Sequence, residues 1–315
     1  MQLRVCLLAF IAAGVAPAIT SAVPFEYTTL TAGGEPIRYL LDVNDLGQSV
    51  GSVPNASTSL LDGFVRLPDG SAQFWSTTDR LAFPTAINNA GVVVGTNVPV
   101  GGTPEGFQRD TAGNETPYNF PGALGTVPFG ISNDDTYTGF YITPNGRRGF
   151  VEQPSSGLSR SVEFPGSSET QLYGVNDAGK AGGAYYDAAG AAFPFLYDIA
   201  TDTFDVIAAP AAGNFVVTSL NDAGDAIVFG LRGVDEFYGD LRSFYRDGQT
   251  GAMTELFFPG AVETYGYDID DTGTILGYFL AGDGSYGGFR ATIVPEPTAF
   301  ALYLVGVGII SRRVR

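Results

Sequence analysis

The 315 residues contain no histidine, one lysine (Lys180), one tryptophan (Trp75) and one cysteine (Cys6). Without imidazole there is no Ser-His-Asp or Cys-His nucleophile and no histidine ligand for a metal. A serine activated by lysine would have to use Lys180, which lies in a turn of the repeat described below. Cys6 sits in an apolar N-terminal run without the small residues that precede a lipoprotein cysteine, so lipidation is not expected there. Beyond that run the chain has no thiol and no means of forming an intrachain disulfide. Positive charge is scarce as well, with 16 Lys and Arg against 33 Asp and Glu. Setting the two end segments aside leaves 12 basic and 32 acidic residues, a net charge of −20. Such a surface repels phosphate backbones and anionic headgroups, which excludes a nucleic-acid partner. A sustained helical period is also missing between Val23 and Val294.

What the chain has in quantity is glycine (43), proline (19) and aromatic residues (13%), within 44% hydrophobic residues overall. That composition supplies a core and cuts it into short strands. The stretch Ile87 to Gly95, INNAGVVVG, recurs in altered form at Val43 (VNDLGQSVG), Ile131 (ISNDDTYTG), Val175 (VNDAGKAGG), Leu220 (LNDAGDAIVFG) and Ile269 (IDDTGTILG). The starts are 44, 44, 44, 45 and 49 residues apart. Each copy reads as a strand entering and leaving a tight hairpin: Asn and Asp bond the turn backbone, and Gly takes the positive-φ position. The Asn and Asp residues are accordingly expected to be turn formers.

Four strands fit each period. In the fourth repeat they are Gln171 to Val175, Lys180 to Tyr186, Phe193 to Tyr197 and Phe204 to Ala208. Strand three is announced by Gly-Phe at Phe64, Phe107, Phe150 and Phe289, with Phe193 and Phe244 in the other two repeats, and the Phe-Pro-Gly triplets at Phe120, Phe164 and Phe258 mark the end of strand four. One aromatic per repeat at a fixed offset predicts a layer in a stacked core. Four strands in about 44 residues is the size of a propeller blade. The last repeat stops after its third strand, Gly288 to Ile293, while an unpaired strand, Phe25 to Thr31, opens the chain. Pairing the two predicts an all-β, six-bladed β-propeller of four-stranded blades closed by the N-terminal strand, which removes the free edges an open array would expose.

The short, uniform hairpins emerge on one face of such a ring, and the longer, variable loops between strands two and three emerge on the other. Binding residues collect in variable loops. The candidates there are Tyr185, Tyr186, Asp187, Asp235, Glu236, Tyr238, Asp240, Asp283 and Tyr286, carboxylates and aromatics suited to sugars or cations. A pair for glycoside chemistry would be Asp235 or Glu236 with Asp283. The run Asp268 to Gly273 has the start of an EF-hand loop but lacks its later glutamate, and the repeat accounts for it without a metal. No cofactor is implied, and no complete catalytic set is present. Arg66, Arg109 and Arg246 follow the strand-three Phe by two residues, which places them between blades, paired with a neighbour's carboxylate.

Residues 1–22 read as a secretory signal peptide: Arg4, an apolar run from Val5 to Val15, then Thr20-Ser21-Ala22. Residues 295–315 read as a tail in which Val294-Pro295-Glu296-Pro297 leads into the apolar run Thr298 to Ile310 and ends with Arg312, Arg313 and Arg315. Thirteen helical residues rise about 20 Å against a hydrocarbon core of about 30 Å, a short C-terminal transmembrane helix suited to a transient anchor. The basic terminus would stay inside and residues 23–294 outside.

This tail resembles the PEP-CTERM sorting signal of Gram-negative bacteria, also called an ice-binding-protein C-terminal domain. The resemblance covers the last 22 residues and implies recognition by an exosortase-type sorting protease, cleavage near Pro295 to Pro297, and delivery to the cell surface or exopolysaccharide matrix. Ice binding itself finds no support, because the repeats lack a regular threonine ladder. The repeats in turn resemble the extracellular HAF repeat family in their Asn-Asp-x-Gly turns, but the histidine of that family's triplet is absent. Together these features point to a non-catalytic surface or matrix propeller that binds polysaccharide or protein, against the alternative of a carbohydrate-active hydrolase or lyase.

Overall fold

The computed structural model describes residues 25–76, 78–232 and 240–294, with only the backbone given for Arg232 and Asp240. The described residues form six antiparallel sheets and no helix. Each sheet is one blade, and the six inner strands line a central channel: Tyr39–Val43, Arg80–Ile87, Gly125–Ile131, Glu169–Val175, Gly213–Leu220 and Ala261–Ile269. In blade 4 the order outward is Glu169–Val175, Lys180–Tyr186, Ala192–Asp198 and Thr203–Val206, within a few residues of the sequence expectation.

The ring closes as the strand count requires. Phe25–Ala32 pairs antiparallel with Tyr286–Ile293, in register from Phe25 opposite Ile293 to Leu30 opposite Gly288. Two further residues, Glu35–Pro36, extend this sixth blade at its outer edge. Tyr27 meets Phe258 and Phe289 at 5.6 Å each, and its hydroxyl oxygen accepts the Phe257 N–H at 3.0 Å. Leu30 and Ala32 join the apolar cluster of Ile37, Leu40 and Phe64 in blade 1. One N-terminal strand therefore binds the last blade to both of its neighbours.

The glycine that ends each repeat has a steric cause. Every inner strand carries a bulge just before its aliphatic residue, as between Leu40 and Asp42 or Pro84 and Ala86. In five blades an inner-strand carbonyl beside the bulge stands against strand two, so a Cβ added at Gly51, Gly95, Gly139, Gly183 or Gly277 would lie 2.0–2.5 Å from that oxygen, while one at Gly230 would lie 2.0 Å from the Asn214 carbonyl, away from the bulge between Val217 and Ser219. In five blades the same glycine faces the strand-three phenylalanine, whose ring would stand 2.6–2.9 Å from the added Cβ. Blade 5 differs: Val228 lies opposite Phe244, and Gly230, two residues later, makes room for Phe215.

The aromatic layer consists of Phe64, Phe107, Phe150, Phe195, Phe244 and Phe289, all buried. In blade 4 this corrects the assignment to Phe193, which is 36% exposed while Phe195 is fully buried. Alternation along the strand puts Phe195, not Phe193, opposite Gly183. Two of the three arginines, Arg66 and Arg109, meet partners other than carboxylates. Arg66 donates from Nε to the Thr31 carbonyl at 2.8 Å, and Arg109 lies 4.5 Å above the Trp75 ring of blade 1. Both contacts cross a blade boundary as the alternation requires, with a carbonyl and an indole in place of the expected acids.

Candidate functional site

The channel has two unlike mouths. On the hairpin face the second turn residue of each blade accepts a backbone N–H from the turn of the blade before it. The Asp45 N–H donates to Asn89 Oδ1 at 3.0 Å, Asn89 to Asn133 at 2.7 Å, and Asn133 to Asp177 at 2.7 Å. The circuit continues from the Ala178 N–H to Asp222 at 3.1 Å, from Asp222 to Asp271 at 2.7 Å, and from Asp271 back to Asp45 at 3.1 Å. Inside this belt the first turn residue makes partial arcs: Asn44 Nδ2 donates to the Asn88 carbonyl at 2.9 Å and Asn176 Nδ2 to the Asn221 carbonyl at 2.9 Å. The arcs break where Ser132 and Asp270 stand in place of asparagine, since neither side chain offers an amide N–H. The turn-forming expectation for these residues holds, as with Asn44 Oδ1 accepting the Gln48 N–H at 2.9 Å, but their second role between blades was not foreseen. The belt holds four carboxyls, and Asp271 is pushed above the usual carboxylate range by burial, then by the charges of Asp222, Asp45 and Asp177.

The opposite mouth, on the variable-loop face, is aromatic. Each inner strand enters from this face, and the positions two and four before its aliphatic residue carry Tyr39, Phe83, Phe129, Tyr173, Tyr265 and Tyr267. Tyr278 on the second strand of blade 6 joins them, stacked on Tyr265 at 4.4 Å and edge-on to Tyr39 at 5.3 Å. Tyr39 continues to Phe83 at 5.9 Å, and Tyr265 to Phe229 at 5.9 Å, so rings run across four blades. Phe129 and Tyr173 form a second contact at 4.9 Å on the far side. The rings frame two grooves that share Tyr267. One, of about 280 Å³, lies among Tyr39, Phe83, Phe129 and Tyr278, and the other, of about 410 Å³, among Tyr173, Tyr186, Asn214 and Phe229. Burial pushes the Tyr267 phenol up to about 12, and burial likewise raises Tyr173, Tyr186 and Tyr278, so all four are neutral donors at ordinary pH.

Two of the sequence-derived candidates stand at this mouth. Tyr186 lines the larger groove, and Tyr286 lies 6.5 Å from Tyr278 with the Arg38 guanidinium 3.4 Å above its ring. Tyr185 is instead stacked between Phe164 at 3.8 Å and Phe193 at 5.0 Å. Asp187 accepts the Ala189 and Ala191 N–H groups, and Asp283 accepts the Ser285 N–H and hydroxyl, so each closes its own turn. Those Ser285 bonds also hold Asp283 below the usual carboxylate range. Asp235, Glu236 and Tyr238 lie outside the described residues, as does the side chain of Asp240. The sorting motif is described only at Val294, and Pro295, Glu296, Pro297, Arg312, Arg313 and Arg315 lie outside, together with the tail helix. Lys180 forms an ion pair with Asp198, Nζ to Oδ2 at 2.5 Å, and is thereby occupied. Asp270 accepts the Thr272 and Thr274 N–H groups as an ordinary turn residue. Sequence reasoning missed the inner-strand aromatics, although their offsets of two and four residues from each repeat start were available.

No protein-family model matches the chain, and no curated protein matches it in sequence. Among solved structures it is similar to TolB from Acinetobacter baumannii, at 12% identity and a TM-score of 0.56, over 84% of this chain and 65% of that one. It is similar to a putative TolB from Agrobacterium tumefaciens at 12% identity and a TM-score of 0.55, over 82% of this chain and 91% of that one. The chain thus spans just under two thirds of the first of these. At such identity the likeness is one of fold, and it supports the propeller architecture alone.

Proposed function

We propose that this chain is an exported, non-catalytic binding propeller whose aromatic mouth takes a neutral polysaccharide. The observation that carries the reading is the run of rings around the channel on the variable-loop face, framing two grooves that share Tyr267. Flat aromatic surfaces with a few hydroxyl and amide donors suit a pyranose ring, which presents C–H faces between polar edges. The net charge of −17 disfavours a polyanionic ligand. Export is supported by the signal-like residues 1–22. Transient membrane anchoring, and processing by an exosortase-type protease on the way to the surface or matrix, are supported by the resemblance of residues 294–315 to a sorting signal.

Retention of residues 23–294 on neutral exopolysaccharide is the direct measurement, with new reducing or unsaturated ends followed in parallel. Binding without fragment release is the expected result; release of fragments would favour the hydrolase or lyase alternative. Tyr267→Ala and Tyr286→Ala should each weaken retention about tenfold, at roughly 1.4 kcal/mol per decade. Tyr185→Ala, away from the grooves, should leave it unchanged, and equal effects at all three positions would move the ligand away from this mouth.

A further inference from the structure

Two carboxyls meet in the channel wall at the joint where the ring closes. Asp42 belongs to the inner strand of blade 1 and Asp268 to that of blade 6, the first and last blades of the circuit. Asp268 is buried and Asp42 is half-buried, and the N–H that Asp268 accepts belongs to Val43, the residue after Asp42, so the two carboxyls stand side by side in the channel wall. Asp268 Oδ2 accepts the Val43 N–H at 2.8 Å, and its Oδ1 accepts the Ser219 hydroxyl of blade 5. Asp42 Oδ2 accepts the Ile87 N–H of blade 2 at 2.5 Å. Four consecutive blades, 5, 6, 1 and 2, therefore converge on one pair of carboxyls.

An ionised carboxylate only accepts, so two carboxyls held side by side away from water repel unless one keeps its proton and donates it to the other. Among the described residues no cation lines the channel beside the pair. The residues lining this part of the channel include seven carboxyls, with Asp45, Asp177, Asp222, Asp270 and Asp271 beside the pair itself, the phenol of Tyr267, and neither Lys nor Arg. Among the described residues, blades 2 and 5 bring the Ile87 amide and the Ser219 hydroxyl to the pair as hydrogen-bond donors. We propose that Asp42 and Asp268 form a proton-operated latch: one shared proton holds blades 6 and 1 together, and its loss at rising pH loosens the closing seam.

Burial, then the neighbouring Asp268, raise Asp42 well above the usual carboxylate range, and burial raises Asp268. The sign follows from linkage. Unfolded aspartates titrate near 3.9, so above about pH 4 the folded ring holds a proton that the unfolded chain has released. The latch contributes its full stability below about pH 4 and loses it progressively as pH rises toward the raised folded-state value.

Asp42→Asn tests this, because an amide supplies the donor permanently while its oxygen still accepts the Ile87 N–H. Melting temperatures of the full chain would be measured from pH 4 to pH 9 for both forms. The expected result is near-equality at pH 4, with the variant gaining steadily over the wild type as pH rises. Amide exchange at Val43, Ile87 and Phe25–Ala32, corrected for intrinsic base catalysis, should quicken with pH in the wild type and not in the variant. Parallel pH profiles would overturn the proposal. If the variant does not fold, the infrared carbonyl band of a protonated acid in the wild type at pH 7 decides alone: its presence supports the latch, and its absence removes it.

Discussion

At the residue scale the repeat is a set of close approaches. Its final glycine is legible in sequence as a metre but not as a cause, because the cause is a partner-strand carbonyl, beside a bulge in five of the six blades, that occupies the space of a Cβ. Gly95 shows this: an added methyl would sit 2.3 Å from the Phe83 carbonyl and 2.6 Å from the Phe107 ring. Backbone and a buried ring both resist displacement, so Gly95→Ala should cost about 3 kcal/mol, at the upper end of overpacking effects. A denaturant titration checks this, and a loss under 1 kcal/mol would mean that the bulge relaxes easily. The turn residues carry a second meaning that a single repeat cannot reveal. Asn89 accepts the Asp45 N–H at 3.0 Å and returns a bond from Nδ2 to Asp45 Oδ2 at 2.8 Å, both across 44 residues. Asn89→Ala removes both and should cost about 2 kcal/mol, at about 1 kcal/mol per typical net hydrogen bond, and less than Gly95→Ala.

At the element scale the N-terminal strand was the most legible part of the fold, since a count of four strands per period leaves one blade short and one strand over. Its pairing with Tyr286–Ile293 follows from alternation and the need to cover an edge. Removing residues 23–32 should expose that edge together with Ile37, Leu40 and Phe289, which are fully buried in the intact ring. A fully buried side chain contributes roughly 1.5–3 kcal/mol, so the partly buried Phe25, Tyr27 and Leu30 together give a loss on the order of 5 kcal/mol. Light scattering should report association of the truncated chain, and a peptide of Phe25–Ala32 added in trans should suppress it; a truncated form that stays monomeric with an unchanged melting temperature would contradict the closure. The aromatic mouth was far less legible. Its rings come from inner strands more than 40 residues apart in sequence, at positions whose facing is shifted by the bulges, so period-two reading alone does not bring Tyr39, Phe129 and Tyr267 together. The loop carboxylates drew attention first because acid in a variable loop is conspicuous, yet Asp187 and Asp283 are consumed by their own turns.

At the scale of the whole molecule the two faces differ in chemistry and in what leaves them. Tyr286–Ile293 starts at the aromatic face and ends at the hairpin face, and Phe25 is paired with Ile293. The chain therefore enters at residue 25 and departs at Val294 on the side of the Asn and Asp belt. An eight-residue strand at about 3.3 Å per residue puts this side roughly 25 Å from the aromatic end. If the segment after Val294 tethers the disc, as proposed, the belt faces the membrane and the aromatic mouth faces outward, where a polysaccharide would meet it. The absence of cysteine beyond Cys6 makes the arrangement directly measurable. Leu46, 60% exposed on the hairpin face, and Ala189, exposed in the loop beside Tyr186, are suitable single positions. On intact anchored cells a bulky impermeant maleimide should modify Ala189→Cys severalfold faster than Leu46→Cys, and the difference should vanish once the propeller is released. Equal rates while anchored would mean that the disc does not lie belt-down, and faster reaction at Leu46→Cys would turn the aromatic mouth toward the membrane and remove its access to an external polymer.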